Sequence, residues 1–255
     1  MYKEWTTPAG TLYRLYEDMN AQNHILIAGA TGSGKSVTIN GLITTMLYQS
    51  PAKVRMVLID PKKCELIEYA DLPHVIAYAS EPREMLAALN GSLQIIEDRF
   101  KDMQRRRLRE YDGSDVYVII DELADLMTTA SIKRQAAQTL QRIAQIGRAA
   151  HVHVIAATQC PLAKIIPTEI KCNFDARLAL RTATRQDSRN IVDVAGAEQL
   201  PDPRAAGEAL GYYRHGADLE LYKLPRYDEQ VRRGLISYWI KNRRPRVSLF
   251  GRRSA

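Results

Sequence analysis

The stretch from Gly29 to Ser36 has the residue types and spacing of a phosphate-binding loop. It reads Gly-Ala-Thr-Gly-Ser-Gly-Lys-Ser and fits the pattern Gly-x-x-x-x-Gly-Lys-Ser. An apolar run precedes it and a helix-forming stretch follows, which is the strand–loop–helix context that this motif requires. Glycines allow backbone N–H groups to turn toward the β- and γ-phosphates of a nucleotide, and the following helix N-terminus adds partial positive charge. The alternative, a chance glycine turn, explains the full eight-residue pattern poorly.

The residues of this loop predict a site for ATP and Mg²⁺. Lys35 would neutralise phosphate charge, and the Ser36 hydroxyl would ligate the metal ion. The predicted nucleotide-binding residues are Gly29, Ala30, Thr31, Gly32, Ser33, Gly34, Lys35, Ser36 and Val37.

A second stretch with candidate catalytic residues, VYVIIDE, places two carboxylates at the end of an apolar run. We expect Asp121 to hold Mg²⁺, directly or through water. Glu122 would polarise the attacking water as a general base. Taken alone, an acidic strand end is also typical of a helix N-cap. The phosphate loop upstream is what favours the catalytic interpretation.

A third stretch, IGRAAHVHVIAATQCP, contributes two further candidates. Gln159 ends an apolar run, and its neutral amide suits sensing of the γ-phosphate. Arg148 lies eleven residues upstream and should therefore lie away from its own phosphate loop. An arginine placed there suits the site of a neighbouring subunit, where a guanidinium stabilises transition-state charge. The alternative for Arg148 is a cation that complements a helix C-terminus.

The elements that must position these side chains alternate between strand and helix. Apolar runs bounded by glycine and turn residues predict buried strands, and residues spaced three or four apart predict helices. This alternation indicates an α/β fold with a mostly parallel sheet covered by helices on both faces. The predicted strands are TLYRLY, HILIAGA, VRMVLIDP, VYVIIDE, HVHVIAAT and ARLALRT, with a closing hairpin of EALGYY and LELYKL; the predicted helices are Lys35–Tyr48, Pro82–Glu110, Ser131–Ala150 and RQDSRNIVDVAG.

Composition narrows the class of protein further. The chain has 255 residues and a net charge of +7, which permits binding to a polyanion. Apolar runs are too short for a membrane span, and three cysteines without metal spacing fit reduced thiols in a cytoplasmic protein. The segment from Val231 to Ala255 carries eight Lys/Arg and no acid, so it is either a nucleic-acid contact or a disordered basic tail. The run RRRLR is typical of a solvated helix C-terminus.

The order and spacing of five stretches resemble the FtsK/SpoIIIE motor family. These stretches are HILIAGATGSGKSVTINGLITTMLY, VLIDPKKCEL, VIIDELADLM, RIAQIGRAAHVHVIAATQCP and DSRNIVDVAGAEQL. The resemblance implies a RecA-like P-loop NTPase core, a hexameric ring, ATP hydrolysis and double-stranded DNA threaded through the pore. It also implies that Arg148 is the trans-acting arginine and Gln159 the γ-phosphate sensor.

From that resemblance we expect an ATP-driven DNA translocase whose loops at 161–171 move along the DNA backbone. Lys164 and Lys171 are the expected phosphate contacts, which position a motor without reading sequence. Expected partners are double-stranded DNA, further copies of the chain, and a membrane-anchored or relaxase-type transfer partner, with no insertion into the membrane by the chain itself. Plasmid or conjugative transfer and DNA segregation both remain open.

The chain also departs from the family pattern. The stretch AEQLPDPRAAGEALGYY replaces a glycine- and methionine-rich loop, and we expect none of the family's extra domains within these 255 residues. We expect an N-terminal strand and turn segment packing on the core (1–22), a motor domain (23–228) and a basic C-terminal tail (229–255). Two alternatives stay open, namely a type VII-like protein-secretion ATPase and a degenerate module that binds without turnover.

Overall fold

An eight-stranded sheet forms the centre of the part of the chain that the computed structural model describes, residues 24–162, 165–206, 209–224 and 227–242. The strand order is β3-β2-β4-β5-β1-β6-β7-β8. The first six strands in this order are parallel, and β7 and β8 close the sheet as an antiparallel hairpin. The strands are β1 (His24–Ala28), β2 (Val54–Ile59), β3 (Val75–Ala79), β4 (Asp115–Ile120), β5 (Val152–Thr158), β6 (Ala176–Leu180), β7 (Ala209–His215) and β8 (Asp218–Leu224).

Helices cover both faces of this sheet, which confirms the predicted fold class. Alternate residues of β1 serve the two cores, because successive side chains of a strand point to opposite faces. Leu26 packs with α2 and α4 on one face, and Ile25 packs with α1 and α8 on the other. The helices are α1 (Lys35–Met46), α2 (Pro82–Arg106), α3 (Leu123–Thr128), α4 (Lys133–Ile146), α5 (Thr168–Lys171), α6 (Arg185–Val192), α7 (Pro203–Ala206) and α8 (Glu229–Lys241).

Several boundaries differ from the sequence prediction. Strand β3 was not predicted. Helix α2 ends at Arg106 rather than Glu110, because Arg107 takes a left-handed conformation with φ of 57°. The helix predicted for Ser131–Ala150 divides into α4 and a separate 3-10 turn, Arg148–Ala150.

The C-terminal segment begins with helix α8. Helix α8 packs on the core through Trp239, whose indole N–H donates to the carbonyl of Leu47 at 2.8 Å. The rest of the basic segment, and the predicted N-terminal strand, lie outside the described residues. In the described parts of the chain, no helix combines the length and the apolar character needed to cross a bilayer.

Candidate functional site

The glycines of the phosphate loop are required by its geometry. Gly34 has φ of +97°, and a Cβ added there would lie 2.9 Å from the Cβ of Ala209. A Cβ on Gly29 would lie 2.9 Å from the Cβ of Leu180. The loop therefore packs too tightly for side chains at these positions. Helix α1 begins directly after it, with no side-chain cap and no acid in its first turn, so its N–H groups remain available to an anion.

Lys35 links this loop to the end of strand β4. Its ammonium donates to the backbone carbonyl of Asp121 at 2.9 Å and to Oδ1 of the same residue at 3.4 Å. Both side chains are almost fully buried. Burial raises the pKa of the Asp121 carboxyl above its ordinary value, and the Lys35 ammonium opposes part of that increase.

The site fits a magnesium ion with few protein ligands. The second carboxylate oxygen of Asp121, Oδ2, is buried and has no hydrogen-bond partner among the described residues. The other carboxylate oxygen accepts from Lys35, which is followed directly by Ser36 at the start of α1. Mg²⁺ is commonly held by one carboxylate, one hydroxyl and substrate phosphates, with water completing the shell. Asp121 and Ser36 fit that requirement, although no cluster of three His, Cys, Asp or Glu ligands occurs in the described chain.

The Glu122 carboxylate is 3% exposed and is held by four donor groups. The Thr158 hydroxyl donates at 2.8 Å, the Gln159 N–H at 3.1 Å and the Lys62 ammonium at 3.3 Å. The N–H of Ala124 donates at 3.4 Å, so Glu122 is also the N-cap of α3. Glu122 can therefore cap helix α3 and still be the candidate base, so the two interpretations of the acidic strand end are compatible.

Gln159 connects the carboxylate to the phosphate loop. Its backbone N–H is bonded to Glu122, and its side-chain Oε1 accepts from the Thr31 hydroxyl at 3.1 Å. These contacts arise because β4, β5 and β1 are neighbours in the sheet, so the residues after their carboxyl ends meet. Gln159 therefore contacts both the proposed base and the phosphate loop.

The loop opens into a cleft of about 480 Å³. Lys35 and Ser36 line its floor, and Gln159 lies on one wall. Pro203 and Leu224 add apolar surface, which a nucleotide base requires. Seven of the nine predicted loop residues, all except Gly29 and Ser33, thus line one cavity together with Gln159.

Arg148 lies at the other end of the sheet, as expected. It precedes β5, whereas Gln159 follows it, and seven residues of strand separate the two ends by about 20 Å. The Arg148 side chain is exposed. The turn that carries it is fixed by the buried Arg99 guanidinium, which donates to the carbonyls of Ala150 at 2.7 Å and His151 at 3.0 Å.

The structure describes only one of the two lysines that we expect to contact DNA. Lys164 lies outside the described residues. Lys171 donates to Oδ1 of Asp193 at 2.9 Å and to the carbonyl of Asn190 at 2.8 Å, so a contact between this ammonium and DNA requires the ion pair to open.

Sequence reasoning missed Lys62 and Thr158 as partners of Glu122. The sequence contained one signal for Lys62, the stretch Asp-Pro-Lys-Lys after β2. Like the end of β4, it places an acidic residue at the end of a strand, and β2 and β4 are neighbours in the sheet.

The parallel sheet, the phosphate loop and the paired acids at the end of β4 define the class of P-loop ATPase folds. The model of the FtsK/SpoIIIE family matches residues 12–117 and 113–164. The chain belongs to the FtsK/SpoIIIE family. Its sequence is 41% identical over 207 residues to the DNA translocase FtsK of Chlorobaculum tepidum, covering 73% of this chain and 26% of that protein. The chain thus spans about a quarter of the length of the curated relatives it matches.

Solved structures share the fold at low sequence identity. The pCW3 conjugation coupling protein TcpA, in its monomer form with ATPγS, superposes with a TM-score of 0.75 at 23% identity, covering 87% of this chain and 66% of that one. The cytoplasmic domain of the Thermomonospora curvata type VII secretion ATPase EccC gives 0.74 at 21% identity, covering 91% and 30%. These comparisons confirm the family and the fold predicted from the sequence. Both the family and the fold support the prediction that the protein is an ATPase.

Proposed function

We propose that this chain is the motor of an ATP-driven double-stranded DNA translocase that works as a ring.

 That ring is the hexamer that the family resemblance implies. The observation that carries the proposal is the meeting of the phosphate loop with Asp121 and Glu122, in a family whose curated relatives are named DNA translocases.

Each side chain of the site has a distinct role in this proposal. Lys35 and the N–H groups at the start of α1 bind the phosphates, while Asp121 and Ser36 hold Mg²⁺. The bound metal ion supplies charge neutralisation on the phosphate oxygens. Glu122 orients the attacking water and accepts its proton, for which one of its present donors must give way to that water.

Gln159 couples the nucleotide to this base. A γ-phosphate that takes the Gln159 amide away from Thr31 also moves the backbone N–H that holds Glu122. The position of the base thereby depends on the presence of the terminal phosphate, and Gln159 acts as the sensor.

Arg148 completes the site of the next subunit. It is too far from its own phosphate loop, since the length of β5 lies between them. An arginine supplied across an interface stabilises the charge of the transition state and contributes about 10³–10⁵ in rate in other nucleotide hydrolases. A ring of identical subunits provides one such arginine to every site.

The experiment is ATP turnover by the purified chain with and without duplex DNA. We expect stimulation by DNA, and we expect DNA affinity to fall steeply between about 50 and 200 mM salt because the contacts are to phosphates. Lys35→Ala serves as the control and should lose both nucleotide binding and turnover. A parent protein that binds ATP and never hydrolyses it, with or without DNA, would instead be a binding module.

Protein secretion is the second candidate function, because EccC shares the fold almost as closely as TcpA does. The curated relatives at 37–41% identity are DNA translocases, which favours DNA as the cargo. Turnover that is insensitive to duplex DNA, with DNA affinity unchanged by salt, would favour a peptide cargo.

A further inference from the structure

Arg204 lies over the phosphate loop of its own subunit. It belongs to α7, in the stretch where this chain departs from the family's glycine- and methionine-rich pattern. A Cβ added to Gly32 would lie 3.3 Å from Cζ of Arg204 and 3.5 Å from both Nε and Nη1. Arg204 and Pro203 line the same cleft as Lys35 and Ser36. The guanidinium therefore covers the tip of the loop from the solvent side.

Asp202 fixes the direction of this guanidinium. Its carboxylate accepts from Nε of Arg204 at 3.0 Å and from Nη2 at 2.6 Å. The same carboxylate accepts from Nη1 of Arg181 at 3.3 Å, and the Arg181 carbonyl accepts from the N–H of Ala30 in the loop at 2.9 Å. Asp202 is thus tied to the loop through Arg181 while it holds Arg204 above it. In the contacts of the described residues, Nη1 of Arg204 has no acceptor and is available to a ligand.

An ordinary surface ion pair does not explain this arrangement well. An exposed pair between residues two apart contributes little to stability, so its effect is to orient the side chain. The charge of Lys35 in the cleft is shared with Asp121, and Glu65 also lines the cleft. A phosphate chain carries several negative charges, and Arg204 lines the cleft where it adds positive charge to that of Lys35.

We propose that Arg204 binds the α- and β-phosphates of a nucleoside di- or triphosphate held by the phosphate loop of the same subunit. Backbone groups of such a loop cradle this part of the nucleotide, and Gly32 is at its tip. Arg204 is then a cis arginine, distinct in place and effect from Arg148, which serves the neighbouring subunit. This inference rests on the proposed nucleotide-binding function of the loop.

The test is the affinity of the full chain for a fluorescent ADP and for fluorescent ATPγS, measured for the parent and for Arg204→Ala. Losing a charge-assisted hydrogen bond to phosphate should weaken both affinities by about 10–100-fold. Arg204→Lys, which keeps the charge but loses the planar fork, should recover only part of the loss. The matched control is Arg233→Ala, because the Arg233 side chain is 74% exposed, as is that of Arg204, and forms a similar surface ion pair with Glu229.

Three results separate the possible outcomes. Equal affinities for the parent and Arg204→Ala, in a protein whose Lys35→Ala variant has lost binding, would overturn the role of Arg204 and leave the loop's function intact. A loss confined to ATPγS would overturn the assignment to the α- and β-phosphates. A parent protein that binds neither nucleotide would overturn the proposed function itself.

Discussion

The ammonium of Lys62 lies 3.3 Å from Oε2 of Glu122, the residue that we assign as the base. Lys62 follows β2 and Glu122 follows β4, and these two strands are neighbours in the sheet. Burial opposes the charged form of Lys62, yet the nearby carboxylates of Glu122, Asp121 and Asp125 leave its pKa above the ordinary value. A charged lysine therefore holds Oε2 of the proposed base, whereas the Thr158 hydroxyl holds Oε1 and the Gln159 N–H is shared between both oxygens.

Replacing Lys62 by methionine should lower the maximal ATP turnover roughly tenfold, since one charge-assisted hydrogen bond to Glu122 is lost. Nucleotide affinity should change little, because Lys62 does not line the cleft. The adjacent Lys63 pairs with Glu81 instead, so Lys63→Met is the matched control and should keep parent turnover. Steady-state kinetics of both variants check this, and an unchanged rate for Lys62→Met would contradict the orienting role.

Arg148→Ala should nearly abolish turnover while ATP binding survives, because Lys35 and Ser36 are untouched. A mixture of Arg148→Ala with Lys35→Ala subunits should regain part of the activity, since some interfaces then pair an intact loop with an intact arginine. Turnover across a range of mixing ratios measures this. Hydrolysis at the parent rate by assembled Arg148→Ala subunits alone would contradict the assignment. Mixtures without activity would mean either that Arg148 acts within its own subunit or that turnover requires every site of the ring to be intact.

Arg99→Ala should reduce both stability and turnover. The buried guanidinium donates to the carbonyls of Ala150 and His151. The substitution leaves the Ala150 carbonyl without this donor, whereas the His151 carbonyl keeps the N–H of Val116, so the expected cost is about 1–3 kcal/mol. Turnover should fall because the turn carrying Arg148 loses its support. Chemical denaturation and ATPase assays together distinguish this variant from Arg148→Ala, which should lose turnover alone. Stability equal to that of the parent would show that the turn does not need Arg99.

His24 should make the protein sensitive to acid. Burial, with a further effect of His153, lowers the pKa of His24 to about 3 in the folded chain. Between that value and the ordinary 6.5, the unfolded chain binds a proton that the folded chain does not, so stability falls as the pH falls. The loss should approach about 1.4 kcal/mol per pH unit, and His24→Gln should flatten it. Parallel slopes of unfolding free energy against pH for parent and variant would contradict this.

Local patterns in the sequence were sufficient for the phosphate loop and for most of the sheet. The Gly29–Ser36 motif is contiguous, and buried parallel strands such as β1 and β5 are apolar runs that need no tertiary information. Strand β3 was missed because its half-buried positions alternate with buried ones over only five residues, next to a long helix. Its strand character depends on pairing with β2.

The missed parts of the site depend on contacts between distant segments. Lys62 and Glu122 are 60 residues apart, and they meet only because β2 and β4 are adjacent. Arg204 reaches Gly32 through the placement of a four-residue helix that no periodicity reveals. The division of the Ser131–Ala150 helix likewise depends on Arg99, which stabilises the carbonyls of the following turn.

If Arg148 serves the neighbouring subunit as proposed, the separation of the two half-sites by the length of β5 makes the number of complete sites a property of the assembly's topology. In that proposed assembly a free subunit has no complete site, and an open row has one fewer than its number of subunits. Only a closed ring matches one site to each subunit, because head-to-tail contacts of one kind either close or continue without end. Closing the last interface therefore creates one additional catalytic site. Activity per subunit should rise with assembly until the ring is complete.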